Sequence, residues 1–135
     1  MAINHRFLPA IPAGMCVLEA DMEIVGVQHN KADALAFAGA KNQQIELEEE
    51  PGNELDPNAI KVFGIWPGWT SKDRRFIGYV PADSAAYLVG QGLSGKVSPR
   101  LKTISVSDDE HVVVRIDLLC PKPAAKEKVA NDTAH

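Results

Sequence analysis

Asn53, Asp56 and Asn58 stand close together in one polar loop, and Tyr79 follows downstream. Two side-chain amides and a carboxylate offer both donors and acceptors, which suits hydrogen-bonded recognition. The same three residues are also favoured in turns, where they bond their own backbone amides. Asn53, Asp56 and Asn58 therefore carry two readings, ligand contact and loop fixation. A calcium loop is a third, but the regular ladder of ligands that it needs is missing.

A second cluster lies in Trp66-Pro67-Gly68-Trp69, with Lys72, Arg74 and Arg75 just after it. Aromatic faces next to cations can stack bases and attract a single strand. The alternative is that one tryptophan packs on the core and the cations are solvated. Trp66 continues a strand and is expected to pack, while Trp69 stays open between the two readings.

Catalytic constellations are not visible. His5, His29, His111 and His135 are scattered, no Ser, Cys or acidic partner stands at a recognisable spacing, and no Gly-rich phosphate loop occurs. The two cysteines, Cys16 and Cys120, lie far apart in the chain beside apolar segments. Neither a Cys-x-x-Cys nor a His-x-x-x-His spacing is present, so no metal site is expected. Without an export signal the cysteines are expected to be free, buried thiols. The expectation is a non-enzyme with no cofactor, any catalysis being supplied by a partner such as a hydrolase.

These residues must be positioned by one domain. The chain has 135 residues, 45% hydrophobic and 24% charged, with a net charge of −4. That is enough for a single core. The acidic balance argues against broad binding along duplex DNA, which depends on neutralising many phosphates. It leaves room for a small site that grips a few nucleotides. Glu46, Glu48, Glu49, Glu50, Glu54 and Asp56 crowd one segment, and Lys72, Arg74, Arg75, Lys96, Arg100 and Lys102 come later, so an acidic and a basic face are expected unless folding interleaves them. No apolar run spans a bilayer and no signal peptide is read, which points to the cytoplasm.

Residues 1–14 read as an irregular leader, 15–120 as the domain and 121–135 as a flexible tail. A strand is expected to end near Gln28. Asn30 suits the N-cap of a short helix closed by Gly39. Ile45 and Leu47 alternate with Gln44, Glu46 and Glu48 as in a half-buried strand. Strands follow over 59–65 and 76–80, then a helix capped by Asp83 or Ser84 with Ala85, Leu88 and Val89 on one face. Two further strands, 96–106 and 112–119, flank a Ser107–Glu110 turn. About six strands and two short helices make the chain mainly β. A small barrel is favoured because closure removes exposed edges.

The sequence resembles the HIRAN domain. Val25-Gly26-Val27 is similar to the end of that family's first strand, and Ala34-Leu35 with Gly39 to its next segment. Leu47, Glu50-Pro51, Asn53, Asp56, Asn58, Ala59-Ile60 and Val62 match its long central motif. Ile77 to Pro81 match its Ile-Gly-Tyr-Val-Pro element, and Ala85 to Leu88 the helix after it. The resemblance covers about residues 15–118. It implies an OB-like β-barrel that captures single-stranded DNA at a free 3′ end, in DNA repair or processing. The implied contacts are Gln28, His29, Asn30, Asn53, Asp56, Asn58 and Tyr79, and the implied partner protein is a helicase or nuclease. An Asp in such a pocket selects ends: it repels a phosphodiester but accepts the proton of a free hydroxyl.

The chain departs from the family at Gln28, His29 and Asn30, where the DNA-binding members carry a basic residue and two aromatics. A second function is therefore weighed, a protein-interaction or scaffold barrel using the acidic strand and the tryptophan loop. A positive groove beside Asn53 and Asp56 is expected of the first reading, and a negative or filled one of the second.

Overall fold

The computed structural model describes residues 2–7 and 9–122. Seven strands and two helices follow one another: β1 (Ile3–Arg6), β2 (Met15–Glu23), α1 (Lys31–Ala38), β3 (Gln44–Glu49), β4 (Ile60–Pro67), β5 (Lys72–Tyr79), α2 (Ala82–Gly90), β6 (Ser98–Val106) and β7 (Val112–Pro121). A 3-10 turn over Val27–Asn30 leads into α1. The mainly β class with two short helices is as the sequence reading has it.

The strands form two antiparallel sheets, ordered β1-β6-β7-β2 and β3-β4-β5. Neither sheet closes on itself. One corner between them is joined by an isolated bridge between Val25 and Tyr79. Each of these residues donates its amide to the other's carbonyl at 2.9 Å. Gly78 makes that approach possible, because a Cβ there would lie 2.6 Å from the Val25 carbonyl oxygen. At the opposite corner β3 lies alongside β6 without pairing to it.

The core fills the space between the sheets. Val112, Val114, Ile116 and Leu118 line the inner face of β7, as their alternation requires, and pack with Ile104, Val62, Ile77 and Phe37. Ala85 and Leu88 bury one face of α2, while Val89 is only partly covered. Gly64 admits the Phe37 ring, since a Cβ at that position would meet it at 2.5 Å. Trp66 packs beside the same ring, with centroids 6.0 Å apart, as its place in a strand predicts.

Several expectations change. The leader is not wholly irregular, because Ile3–Arg6 pairs with Thr103–Val106 in antiparallel register. Prolines and glycine interrupt residues 9–14 but leave 3–6 able to pair. Asn30 does not cap α1 through its side chain; its amide donates instead to the Gly26 carbonyl at 3.3 Å. Helix α2 starts at Ala82 behind Pro81, and the Ser84 hydroxyl bonds Glu19 rather than the helix end. Gly39 does close α1, its amide donating to the Leu35 carbonyl at 3.0 Å and the Ala40 amide after it to the Phe37 carbonyl at 3.1 Å.

Cys16 and Cys120 are free, but they are half-buried and directly opposite in the β2–β7 ladder. Distance along the chain concealed this, because β2 and β7 come from its two ends. Of the expected flexible tail, 123–135 lies outside the described residues; Pro121 ends β7, and the Lys122 amide bonds the Gly14 carbonyl.

Among the described residues one polar side chain is almost fully buried. Asp117 is 1% exposed on the outer side of β7. Arg100 reaches its Oδ2 at 2.5 Å and Lys102 at 3.4 Å, while the Asp21 amide donates to Oδ1 at 2.9 Å. Asp21 itself sits at a bulge in β2 with φ 53°. Burial opposes ionisation, yet the amide and the two cations outweigh it and hold the Asp117 carboxyl below its ordinary range.

Candidate functional site at the Tyr79 corner

Tyr79 ends β5 and occupies the bridged corner. Its backbone holds Val25, which leads directly into the turn carrying Gln28, His29 and Asn30. Its hydroxyl reaches the loop between β3 and β4, which carries Asn53, Asp56 and Asn58. Three segments far apart in sequence thus meet around one tyrosine.

The loop is pinned by its own side chains. Asn53 Oδ1 accepts from the Leu55 amide at 2.9 Å and the Asp56 amide at 3.0 Å. Asp56 Oδ1 accepts from the Asn58 amide at 2.9 Å. These are Asx-type turns, which fix a chain reversal before the buried Ala59. Loop fixation therefore accounts for both oxygens' contacts. Among the described residues, Asp56 Oδ2 and the Asn58 side-chain amide make no hydrogen bond.

Glu50 organises the rest. Its carboxylate accepts from Asn53 Nδ2 at 2.7 Å and from the Tyr79 hydroxyl at 2.8 Å, both on Oε1. Lys61 Nζ lies 2.8 Å from Oε2. The hydrogen bonds from Lys61, Asn53 and Tyr79 bring the Glu50 pKa down to about 2. The same carboxylate raises the Lys61 and Tyr79 pKa values. Phe76 completes the wall, its ring edge-on to Tyr79 at 5.2 Å and 5.5 Å from the Lys61 ammonium.

Glu50 and Lys61 were not among the expected site residues. The signal was present: the β3–β4 register sets Glu48 opposite Lys61, which makes Glu50 its diagonal neighbour. Reading it required the hairpin register, and sequence alternation alone does not fix that.

The other expected residues fare differently. Gln28 donates to the Val112 carbonyl at 2.9 Å, which turns its amide toward β7. Asn30 is engaged with Gly26. His29 is exposed. The expected stacking surface is not assembled as one unit. Arg74 pairs with Glu46 at 2.7 Å and Glu48 at 3.2 Å, and its guanidinium lies 3.6 Å over the ring of Phe63, not of a tryptophan. Arg75 pairs with Asp33 at 2.9 Å. Lys72 is exposed, and Trp69 is 100% exposed. The acidic strand and the basic residues are thus interleaved on β3 and β5 rather than held on separate faces.

No group of three or more His, Cys, Asp or Glu side chains among the described residues is placed to hold a metal ion. No helix among them is long and apolar enough to cross a membrane. No protein-family model matches the chain, and neither a curated protein nor a solved structure matches it.

Proposed function

We propose that this chain is a HIRAN-like recognition module that binds the free 3′ end of single-stranded DNA at the Tyr79 corner. The observation that carries the reading is that Tyr79 bonds both Val25, which leads into the 28–30 turn, and Asn53 of the 53–58 loop, so that the segments on which the resemblance rests are tied to one residue. In this reading Asn53 and Glu50 fix the loop, Asp56 Oδ2 accepts the terminal hydroxyl, and Asn58 and His29 supply further polar contacts. The OB-like barrel belongs to the same proposal: the two sheets enclose one core and are bridged at this corner. A helicase or nuclease partner would supply any chemistry.

Fluorescence anisotropy on a short labelled strand at low salt tests it. Tighter binding to a 3′-hydroxyl than to a 3′-phosphate end is expected, and Asp56→Asn should remove most of that preference. A hydrogen bond to a charged group contributes about 1.5–3 kcal/mol, so the loss is on the order of tenfold or more. Equal affinity for both ends in the native chain defeats the assignment.

A second reading is favoured by the filling of the corner. The Glu50 carboxylate occupies the Asn53 and Tyr79 donors, and the Lys61 charge is directed at Glu50 rather than at a ligand. The wholly exposed Trp69 and the 97% exposed Leu55 then serve as contact points for a protein partner in a scaffold barrel.

A further inference from the structure

Cys16 and Cys120 are direct partners across the β2–β7 ladder, with Sγ atoms 3.7 Å apart. Residues directly opposite in an antiparallel pair have Cα atoms about 4.5–5.5 Å apart, within the range that a disulfide spans. The sulfurs need to close by only about 1.7 Å to reach bonding distance, which side-chain rotation can provide. Both residues are half-buried rather than sealed in the core, and β2 is the edge strand of its sheet. A small reagent can therefore reach the pair from the side.

We propose that Cys16 and Cys120 form a reversible oxidation site, at which a small-molecule disulfide such as oxidised glutathione converts the two thiols into a cross-strand disulfide. Cys16, on the edge strand, attacks the external disulfide as thiolate and releases one small thiol, leaving a mixed disulfide. The Cys120 sulfur then displaces the second small thiol and closes the internal bond. Two cysteine thiols are oxidised and one external disulfide is reduced to two thiols, so atoms and electrons balance. Burial and the neighbouring Cys16 sulfur both push the Cys120 thiol above its ordinary pKa. Thiolate formation, and with it the rate, should therefore rise with alkalinity.

The bond would fasten the first long strand to the last. The strands around it already place Met15 opposite Pro121 and Val17 opposite Leu119, so closure requires no change of register. It would remove the freedom of a loop of about a hundred residues from the unfolded chain. The expected gain in Tm is on the order of 10 °C. In a glutathione-reducing compartment the pair stays reduced, and it closes when that poise is lost.

The test treats the full native chain with a graded series of oxidised to reduced glutathione. Expected are loss of both titratable thiols, an intact mass lower by two hydrogens, a single Cys16–Cys120 cross-linked peptide and a Tm rise that dithiothreitol reverses. Cys16→Ser and Cys120→Ser should instead retain a glutathione adduct and show no rise. Thiols that remain titratable in the native chain, stable adducts on it, or cross-links only between chains would each overturn the proposal.

Discussion

The Tyr79 hydroxyl donates a 2.8 Å hydrogen bond to the Glu50 carboxylate, which also faces the Lys61 ammonium at 2.8 Å. This couples the corner to acid. The Glu50 pKa falls from 4.5 to about 2 on folding, so its contribution to stability is fully present above pH 4.5 and is lost as the pH falls through about 2. Acid titration of the native chain should show destabilisation across that window. In Glu50→Gln the slope there should be shallower. An unchanged slope would mean that the carboxylate is not held in this network.

Gly78 lies where Val25 crosses Tyr79. A Cβ at position 78 would stand 2.6 Å from the Val25 carbonyl oxygen and 2.7 Å from Ile24 Cγ2. Backbone cannot yield as a flexible side chain does, so Gly78→Ala should push the two segments apart. A loss of about 1–3 kcal/mol in denaturant unfolding is expected, with faster hydrogen exchange at the Val25 and Tyr79 amides. Native protection at both amides would refute the crossing.

Arg100 is the closest cation to a carboxylate that has almost no water around it. Removing the guanidinium leaves Asp117 with Lys102 and the Asp21 amide alone. Arg100→Met should therefore cost about 3 kcal/mol, read from urea unfolding. Arg100→Lys should recover only part, because one ammonium does not replace a planar fork.

Trp69 is exposed over its whole surface, so its removal takes nothing from the core. Trp69→Ala should leave stability within about 0.5 kcal/mol of the native value. If the scaffold reading holds, the same variant loses self-association or capture of a partner, measured by sedimentation and pull-down. Unchanged association would count against that reading.

Much of the fold was legible because its strands announce themselves one at a time. Ile45 and Leu47 alternate with acids, and Val112, Val114, Ile116 and Leu118 alternate on β7, so period two was sufficient. Strand continuity assigns Trp66 to the packed side, while the full exposure of Trp69 came only with the structure. What could not be read was pairing. The opposition of Cys16 to Cys120, the short β1 strand and the Val25–Tyr79 bridge all depend on which distant strands become neighbours, and no local propensity encodes that. The site shows the same division. The loop residues were visible from their turn chemistry, while Glu50 and Lys61 became visible only with the β3–β4 register. In sequence Arg74 and Arg75 stand as cations next to tryptophans, but the fold gives them to Glu46 and Glu48 on β3 and to Asp33 on α1.

The two sheets also differ in when they can exist. β3, β4 and β5 are consecutive hairpin partners, so the smaller sheet has every strand it needs once Tyr79 has been synthesised. β1 and β2 are made first but pair with β6 and β7, so both wait unpaired until residues from Ser98 and Val112 onward emerge. Such long-range pairing slows folding. On a ribosome the Val25–Tyr79 bridge could thus be in place before the sheet that takes up β2, the strand just ahead of Val25, and the Tyr79 corner would serve as the anchor on which the larger sheet is later completed.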